Sequence, residues 1–125
     1  MNGREPSEIG KRGEDEAARY LVLAGYTIVE RNFRVRGGEV DIIARMGDEL
    51  VLVEVKTRTR TAYGYPEERV DFFKRRFLAR ALKEYTRRKR IDESTYIRFD
   101  IIACDLDEHI GRCSIRHIKN VELPL

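Results

Sequence analysis

The sequence is poor in the residues that build disulfide scaffolds, membrane spans and rigid linkers. Among 125 residues there are two cysteines, three prolines and no tryptophan. The apolar runs are too short to cross a bilayer, and the first residues, M-N-G-R-E-P-S-E, lack the apolar core of a signal peptide. Cys104 and Cys113 could form only one bridge, and without nearby histidine or cysteine partners they make no zinc site. We therefore expect a cytoplasmic protein with reduced thiols and no membrane partner.

The remaining composition is that of one globular domain. Apolar residues make up 42% and charged residues 38% of the chain, and no repeat or low-complexity tract divides it. A chain of this length buries roughly two thirds of its unfolded surface. We expect a single domain over residues 1–125.

The stretch from Gly38 to Thr57 predicts a β-hairpin around which the chain is organised. Two runs rich in branched residues flank Gly47-Asp48, and glycine at the first central position suits a type II′ turn. This turn sets the register of the two strands, so that Ile42 faces Val53 and Asp41 faces Glu54. The same register opposes Val40 to Val55 and Glu39 to Lys56.

One face of this hairpin is expected to be aliphatic, and the other to carry charged side chains towards solvent or a cleft. Asp41 and Glu54 would be directly opposed carboxylates, which repel one another. A hard cation, Mg²⁺ or Mn²⁺, would remove the conflict, with the backbone carbonyl of Val55 as a further ligand. Lys56, on the face of Glu54, would stabilise transition-state charge. The pattern indicates phosphodiester hydrolysis by metal-activated water.

Two ordinary interpretations of the same residues stay open. Charged residues that alternate with valines are common on the solvated side of an antiparallel pair. If the turn were instead Asp48-Glu49, Asp41 would face Lys56 in a plain cross-strand ion pair. Neither alternative needs a metal ion.

Helical spacing predicts a first helix from Ser7 to about Ala24. Glu14 borders its buried stripe, either as an exposed helix carboxylate or as part of the chemistry. His109 and His117 have no partners at metal-ligand spacing, so we expect surface or structural roles for both. Patterns of branched and aromatic residues predict five strands, over Tyr26–Arg34, Glu39–Arg45, Leu50–Thr57, residues 95–104 and Cys113–Ile118.

A second helix, with Asp71 as its N-cap, has basic residues on most of the surface outside its buried stripe. The net charge is only +3, yet residues 69–90 hold ten basic residues against two acidic ones. Such grouping is typical of proteins that bind a phosphate backbone, although a solvated helix face is the ordinary alternative. We expect nucleic acid, with DNA as the first choice, as the partner. The candidate contacts are Arg36, Arg58, Lys74 and Arg75.

Seven motifs between Gly13 and about Asn120 resemble, in order and spacing, the bacterial YraN-like family of predicted endonucleases. They are G-E-D-E-A-A-R-Y-L, G-Y-T-I-V-E-R-N-F-R, G-G-E-V-D-I-I-A, V-L-V-E-V-K-T-R, Y-G-Y-P, V-D-F-F-K-R and R-F-D-I-I-A. That family is similar in turn to archaeal Holliday junction resolvases and the restriction-endonuclease-like superfamily. The signature of that superfamily is an acidic residue, a gap and then Glu-x-Lys.

The resemblance implies an α/β fold with a restriction-endonuclease-like core, in which helices flank a mixed five-stranded sheet in the order α-β-β-β-α-β-β. It implies a catalytic first-helix carboxylate at Glu14 and a metal-binding aspartate at Asp41. It further implies the Glu-x-Lys pair at Glu54 and Lys56 and a basic residue opening the second helix at Lys74. Because resolvase-like enzymes often pair to cut two strands, a homodimer is a further expectation.

Two functions follow as hypotheses. The first is a magnesium- or manganese-dependent endonuclease that hydrolyses phosphodiester bonds in DNA, including branched or recombination intermediates. The alternative is a nucleic-acid-binding or adaptor protein that retains the nuclease fold without turnover. Salt-dependent binding that is indifferent to metal would distinguish the second from the first.

Overall fold

The computed structural model describes residues 6–60, 64 and 72–122, and the side chains of residues 6–7 and 72–75 lie outside that description. The predicted α/β order α-β-β-β-α-β-β is confirmed. The elements are α1 (Pro6–Leu23), β1 (Thr27–Val35), β2 (Gly38–Met46), β3 (Glu49–Thr59), α2 (Phe72–Arg88), β4 (Tyr96–Asp107) and β5 (Arg112–Ile118). Neither helix has a stretch long and apolar enough to cross a membrane within the described ranges. The predicted N-cap Asp71 falls outside them.

The five strands form one mixed sheet whose spatial order follows the chain, β1-β2-β3-β4-β5. β1, β2 and β3 form an antiparallel meander, β3 and β4 are parallel, and β5 returns antiparallel to β4. A parallel pair needs a long crossover between its strands, and α2 lies in that crossover. The predicted mixed five-stranded sheet is therefore confirmed.

Buried residues form two cores, and each contains residues of one helix. The core with α1 contains Ala17, Leu21, Tyr26, Ile42, Ala44, Val51, Val53, Ile102 and Cys104. The core with α2 contains Phe33, Val40, Ile43, Leu50, Leu52, Phe77, Leu78, Ala81 and Tyr85. The hairpin is thus buried on both faces over Leu50–Val53, and the expectation of one aliphatic and one open face was wrong there. Leu50 and Leu52 supply the second apolar face.

The turn of the hairpin has the predicted geometry. Met46 pairs with Glu49 and Ile42 with Val53, so Gly47-Asp48 is the two-residue loop. Gly47 has a φ of 58°, whereas Asp48 is not among the positive-φ residues. A positive φ at the first central position alone is the mark of a type II′ turn. The alternative turn at Asp48-Glu49 is excluded.

The paired part of this hairpin is shorter than expected. The described ladder between β2 and β3 ends at Ile42–Val53, so Asp41 does not face Glu54 as a paired residue. Beyond Ile42, β2 pairs only with β1, and Val40 enters the α2 core although Ile42 lies in the α1 core. The strand therefore turns over between these residues. The other expected pairs, Glu39–Lys56 and Val40–Val55, are likewise not formed.

A buried polar network ties α1 to β4 and β5. Asp100, 1% exposed, accepts hydrogen bonds from Arg98 at 2.9 and 3.0 Å. His117 Nε2 lies 2.6 Å from the same carboxylate, and His117 Nδ1 lies 3.0 Å from the Tyr20 hydroxyl. His117 thus has the structural role expected of it. The cysteines are free thiols, as expected, and burial raises the pKa of Cys104 to about 12.

Candidate functional site

The N-terminal half of α1 approaches the sheet very closely at Gly13. An added Cβ at this glycine would lie 1.8 Å from Thr57 Oγ1 and 2.8 Å from Thr57 Cβ. The Gly13 carbonyl also accepts a hydrogen bond from Cys104 Sγ at 3.2 Å. Glycine permits this approach because it has no side chain. The next residue, Glu14, is thereby held against the strands.

Three carboxylates from α1 and β2 meet where β2 leaves β3. Glu14, Glu39 and Asp41 each offer one carboxylate oxygen, and these oxygens all lie within 4.8 Å of one another. All three side chains are half-buried. We call this group the carboxylate cluster. It brings together two predicted site residues, Glu14 and Asp41, with Glu39, which was predicted only to face Lys56.

An amide, a backbone N–H and one arginine contact the members of the carboxylate cluster, and Arg34 Nε lies 3.4 Å from Glu39 Oε2. The amide nitrogen of Asn32 donates to Glu14 Oε1 at 2.9 Å and to Glu39 Oε1 at 3.2 Å. The backbone N–H of Val55 donates to Asp41 Oδ2 at 2.8 Å. This last bond connects β2 to β3 beyond the end of their ladder. The segment Glu54–Lys56 therefore contacts Asp41, and this contact is made by the backbone of Val55.

The electrostatics of the cluster favour a bound cation. The pKa of Glu14 is raised above its ordinary 4.5, first by burial and then by the negative charges of Asp41 and Glu39. The hydrogen bond from Asn32 and the charge of Arg31 act in the opposite direction. Three hard oxygen donors at this spacing suit Mg²⁺ or Mn²⁺. The residues present thus fit the metal ion that the sequence implies.

A cleft of about 470 Å³ opens beside the cluster. Its size falls within the range of ligand-binding sites in proteins. Glu14 and Asp41 line its acidic side, and Arg58 contributes a cationic group. The other lining residues are Ile9, Gly10, Val55, Thr57 and Thr59.

Glu54 and Lys56 lie on the same side of β3 as Arg58, one of the cleft-lining residues. β3 pairs with β4 without interruption from Glu49 to Thr59, so its side chains alternate regularly. Glu54 and Lys56 therefore share the face of Leu52, in the α2 core, while Thr57 shares the face of Val53. The carboxylate cluster does not include Glu54. The catalytic and metal-binding roles of Glu54 and Lys56 stay predictions.

Arg58 is anchored by an aspartate of β4. Its Nε donates to Asp105 Oδ1 at 2.5 Å and its Nη2 to Asp105 Oδ2 at 3.1 Å. Arg58 lowers the pKa of Asp105, which is 7% exposed. Among the other predicted nucleic-acid contacts, Arg36 is exposed in the turn before β2. The side chains of Lys74 and Arg75 lie outside the described residues.

Sequence reasoning missed two residues of the site, Glu39 and Asn32. A signal for Glu39 was present, because residues two apart on a strand share a face and Glu39 is two residues before Asp41. No comparable signal exists for Asn32. Its contact depends on a left-handed backbone within a strand, with a φ of 54°.

Comparison with known protein sequences finds relatives that share one family name. Residues 13–104 match the "Uncharacterised protein family UPF0102". The chain is 45% identical over 111 residues to a UPF0102 protein of Persephonella marina, covering 89% of this chain and 90% of that protein. A UPF0102 protein of Caldicellulosiruptor saccharolyticus is 40% identical over 120 residues, covering 96% and 98% of the two chains.

Among solved structures, the chain is similar to "crystal structure of a repair endonuclease from Pyrococcus abyssi", with a TM-score of 0.44 and 18% identity. The match covers 82% of this chain and 40% of the endonuclease chain.

A third sequence relative, the UPF0102 protein of Geobacter sulfurreducens, is 52% identical over 96 residues, or 76% of this chain and 73% of that protein. With a family match over most of its length, this chain belongs to the UPF0102 family.

Proposed function

We propose that this chain is a divalent-metal-dependent nuclease that hydrolyses phosphodiester bonds in DNA. The observation that carries the proposal is the carboxylate cluster, whose oxygens lie within 4.8 Å of one another beside a cleft of about 470 Å³. Like charges at such distances disfavour one another. A hard cation relieves this repulsion and completes a hydrolytic site.

Glu14, Glu39 and Asp41 would hold the ion, with the predicted ligands Glu54 and the Val55 carbonyl as further candidates. When bound, Mg²⁺ or Mn²⁺ supplies Lewis acidity that offsets negative charge on phosphoryl oxygens and acidifies water. The protein's part is to hold the carboxylates before substrate arrives. The bond from Val55 N–H to Asp41 does this at 2.8 Å.

Arginine and lysine side chains would hold the substrate. Arg58 lines the cleft, and its bidentate pair with Asp105 fixes the plane of its guanidinium. A guanidinium held in this way would place positive charge beside a phosphate in the cleft. Lys56 would offset negative charge that builds up in the transition state. The basic residues of α2 and the predicted contact Arg36 would bind the flanking backbone of the nucleic acid.

A cleavage assay with a matched aspartate control tests the proposal. The purified protein is incubated with four-way-junction, single-stranded and duplex DNA in Mg²⁺ or Mn²⁺. We expect cutting of at least one substrate, and loss of about 100-fold or more in Asp41→Asn. Asp48→Asn removes a carboxylate from the exposed hairpin turn and should cut as the unaltered protein does. Thermal melting of both variants shows whether the fold is kept.

The same assay separates the nuclease from a non-catalytic binding protein. Salt-dependent DNA binding without cutting on any substrate, unchanged in Asp41→Asn, would refute the nuclease and favour the adaptor function. Cutting of a four-way junction in preference to duplex would assign branched DNA as the substrate class. Sedimentation with and without the junction tests the expected homodimer.

A further inference from the structure

Asn32 occupies an unusual backbone conformation in the middle of β1. Its φ of 54° lies in the left-handed region, although its neighbours on both sides belong to a strand. Asparagine tolerates this region better than most residues do, yet such conformations still carry strain. They persist where the surrounding structure fixes them. Arg31 pairs with Ile42 and Phe33 with Val40, so paired residues fix Asn32 from both sides.

The left-handed residue coincides with a change of face in both strands. Phe33 and Val40, a cross-strand pair, lie in the α2 core, whereas Ile42 lies in the α1 core. A regular strand would place Val40 and Ile42 on one face. The β1–β2 ribbon therefore turns over next to Asn32. This turn presents the Asn32 amide to Glu14 of α1.

The Asn32 side chain uses one nitrogen to link two carboxylates of the cluster. An amide nitrogen carries two hydrogens, and Asn32 Nδ2 donates to both Glu14 Oε1 and Glu39 Oε1. An arginine or lysine in this place would neutralise the carboxylates that it bound. The amide orients both carboxylates without adding positive charge of its own, and Arg34 is 3.4 Å from the other oxygen of Glu39.

We propose that Asn32 is a positioning residue that sets the spacing of Glu14 and Glu39 and thereby the metal affinity of the carboxylate cluster. The inference rests on the proposed function, because it assigns how that site is held in shape. The left-handed backbone and the two hydrogen bonds act together: the first aims the amide and the second holds the carboxylates. Outer residues that orient metal ligands typically change metal affinity or activity by 10- to 100-fold when removed.

The test compares two asparagines that share the same backbone conformation. Asn32→Gly keeps the left-handed backbone without strain and removes the amide. Asn120→Gly does the same at a second left-handed asparagine, which has a φ of 56°. The backbone N–H of residue 120 donates a hydrogen bond to Asp100, and glycine retains that bond. We expect Mn²⁺ binding, measured by calorimetry and electron paramagnetic resonance, to weaken about 10-fold in Asn32→Gly and to be unchanged in Asn120→Gly. Thermal stability without metal should be similar in the two variants.

A second variant keeps the inference testable if Asn32→Gly does not fold. Asn32→Asp keeps the size of the side chain, and aspartate also tolerates a left-handed backbone. The substitution replaces the donating amide with a carboxylate, which repels Glu14 and Glu39. We expect a lower melting temperature than that of the unaltered protein in chelator, and a larger increase on addition of Mn²⁺. A melting temperature and an Mn²⁺ response equal to those of the unaltered protein would overturn the proposed position of the amide.

Cutting assays then separate this inference from the function on which it rests. Raising Mn²⁺ should restore cutting by Asn32→Gly, because only metal affinity has changed. If Asn32→Gly binds Mn²⁺ and cuts as the unaltered protein does, Asn32 is not a positioning residue and the nuclease stands. If the unaltered protein neither binds Mn²⁺ nor cuts, the proposed function itself fails.

Discussion

Gly13 determines how closely α1 can approach β3, and alanine at this position provides a direct test. We expect Gly13→Ala to lower the free energy of unfolding by about 3 kcal/mol, the upper end for overpacking, since three Thr57 atoms would lie within 3.0 Å of the new Cβ. That loss exceeds the ~1 kcal/mol that alanine gains over glycine in a helix. Urea denaturation measures the difference.

The same helix offers a matched control for Gly13→Ala. An added Cβ at Gly10 meets nothing within 4 Å, so Gly10→Ala should stabilise the protein by about 0.5–1 kcal/mol. Thr57→Ala in the Gly13→Ala background removes two of the three close atoms and should restore part of the stability. Equal effects of the two glycine substitutions would contradict the close approach.

Glu14 should make stability depend on pH in metal-free solution. Its folded-state pKa is raised above 4.5 by burial and by Asp41, so the folded protein holds this proton more tightly than the unfolded chain does. The stability associated with the protonated carboxyl is complete below pH 4.5 and is lost as pH rises through the folded-state pKa. Glu14→Gln should therefore melt at a higher temperature than the unaltered protein at pH 7 in chelator, with the difference vanishing below pH 4.5.

Glu16→Gln serves as the control for this pH dependence. Glu16 lies on the same helix and pairs with Arg19 at 3.0 Å, outside the carboxylate cluster. It should show no gain at pH 7. Addition of Mn²⁺ should reverse the order of Glu14→Gln and the unaltered protein, because only the carboxylate binds the ion.

At the scale of the elements, α1 is held to the sheet by a polar contact as well as by its apolar stripe. The Tyr20 hydroxyl lies 3.0 Å from His117 Nδ1, and the other nitrogen of His117 meets Asp100. Tyr20→Phe should lower the free energy of unfolding by about 1 kcal/mol, since it leaves a part-buried imidazole nitrogen without this hydrogen bond. Thermal melting and hydrogen exchange in α1 measure the effect. Tyr96→Phe, at a tyrosine that is 55% exposed, should be neutral.

The elements differ in how far sequence alone predicts them. Gly47-Asp48 determines the turn and the register, and both are confirmed because a two-residue loop leaves little freedom. The alternation of Leu50 and Leu52 with valines is a sequence signal for burial of the second face as well. The turnover of β2 between Val40 and Ile42 has no local signal, because it depends on how two strands coil together around separate cores.

At the scale of the whole molecule, the order of elements and the mixed sheet follow from periodicity and from the family resemblance. The composition of the carboxylate cluster follows only in part. Glu14 and Asp41 are predictable as motif positions, and Glu39 only from its place two residues before Asp41 on the same strand. The roles of Glu54 and Lys56 depend on substrate and metal, and they stay predictions for the cleavage assays.

The close contact of α1 with β3 also has a consequence for how this protein can diversify. Every member of the carboxylate cluster, together with Asn32 and Thr57, is encoded in the first half of the chain. The crossover after β3 and the cationic helix α2 come later. Under the proposed function, mutation or recombination within that later segment would change substrate preference while the proposed hydrolytic residues are inherited as one block.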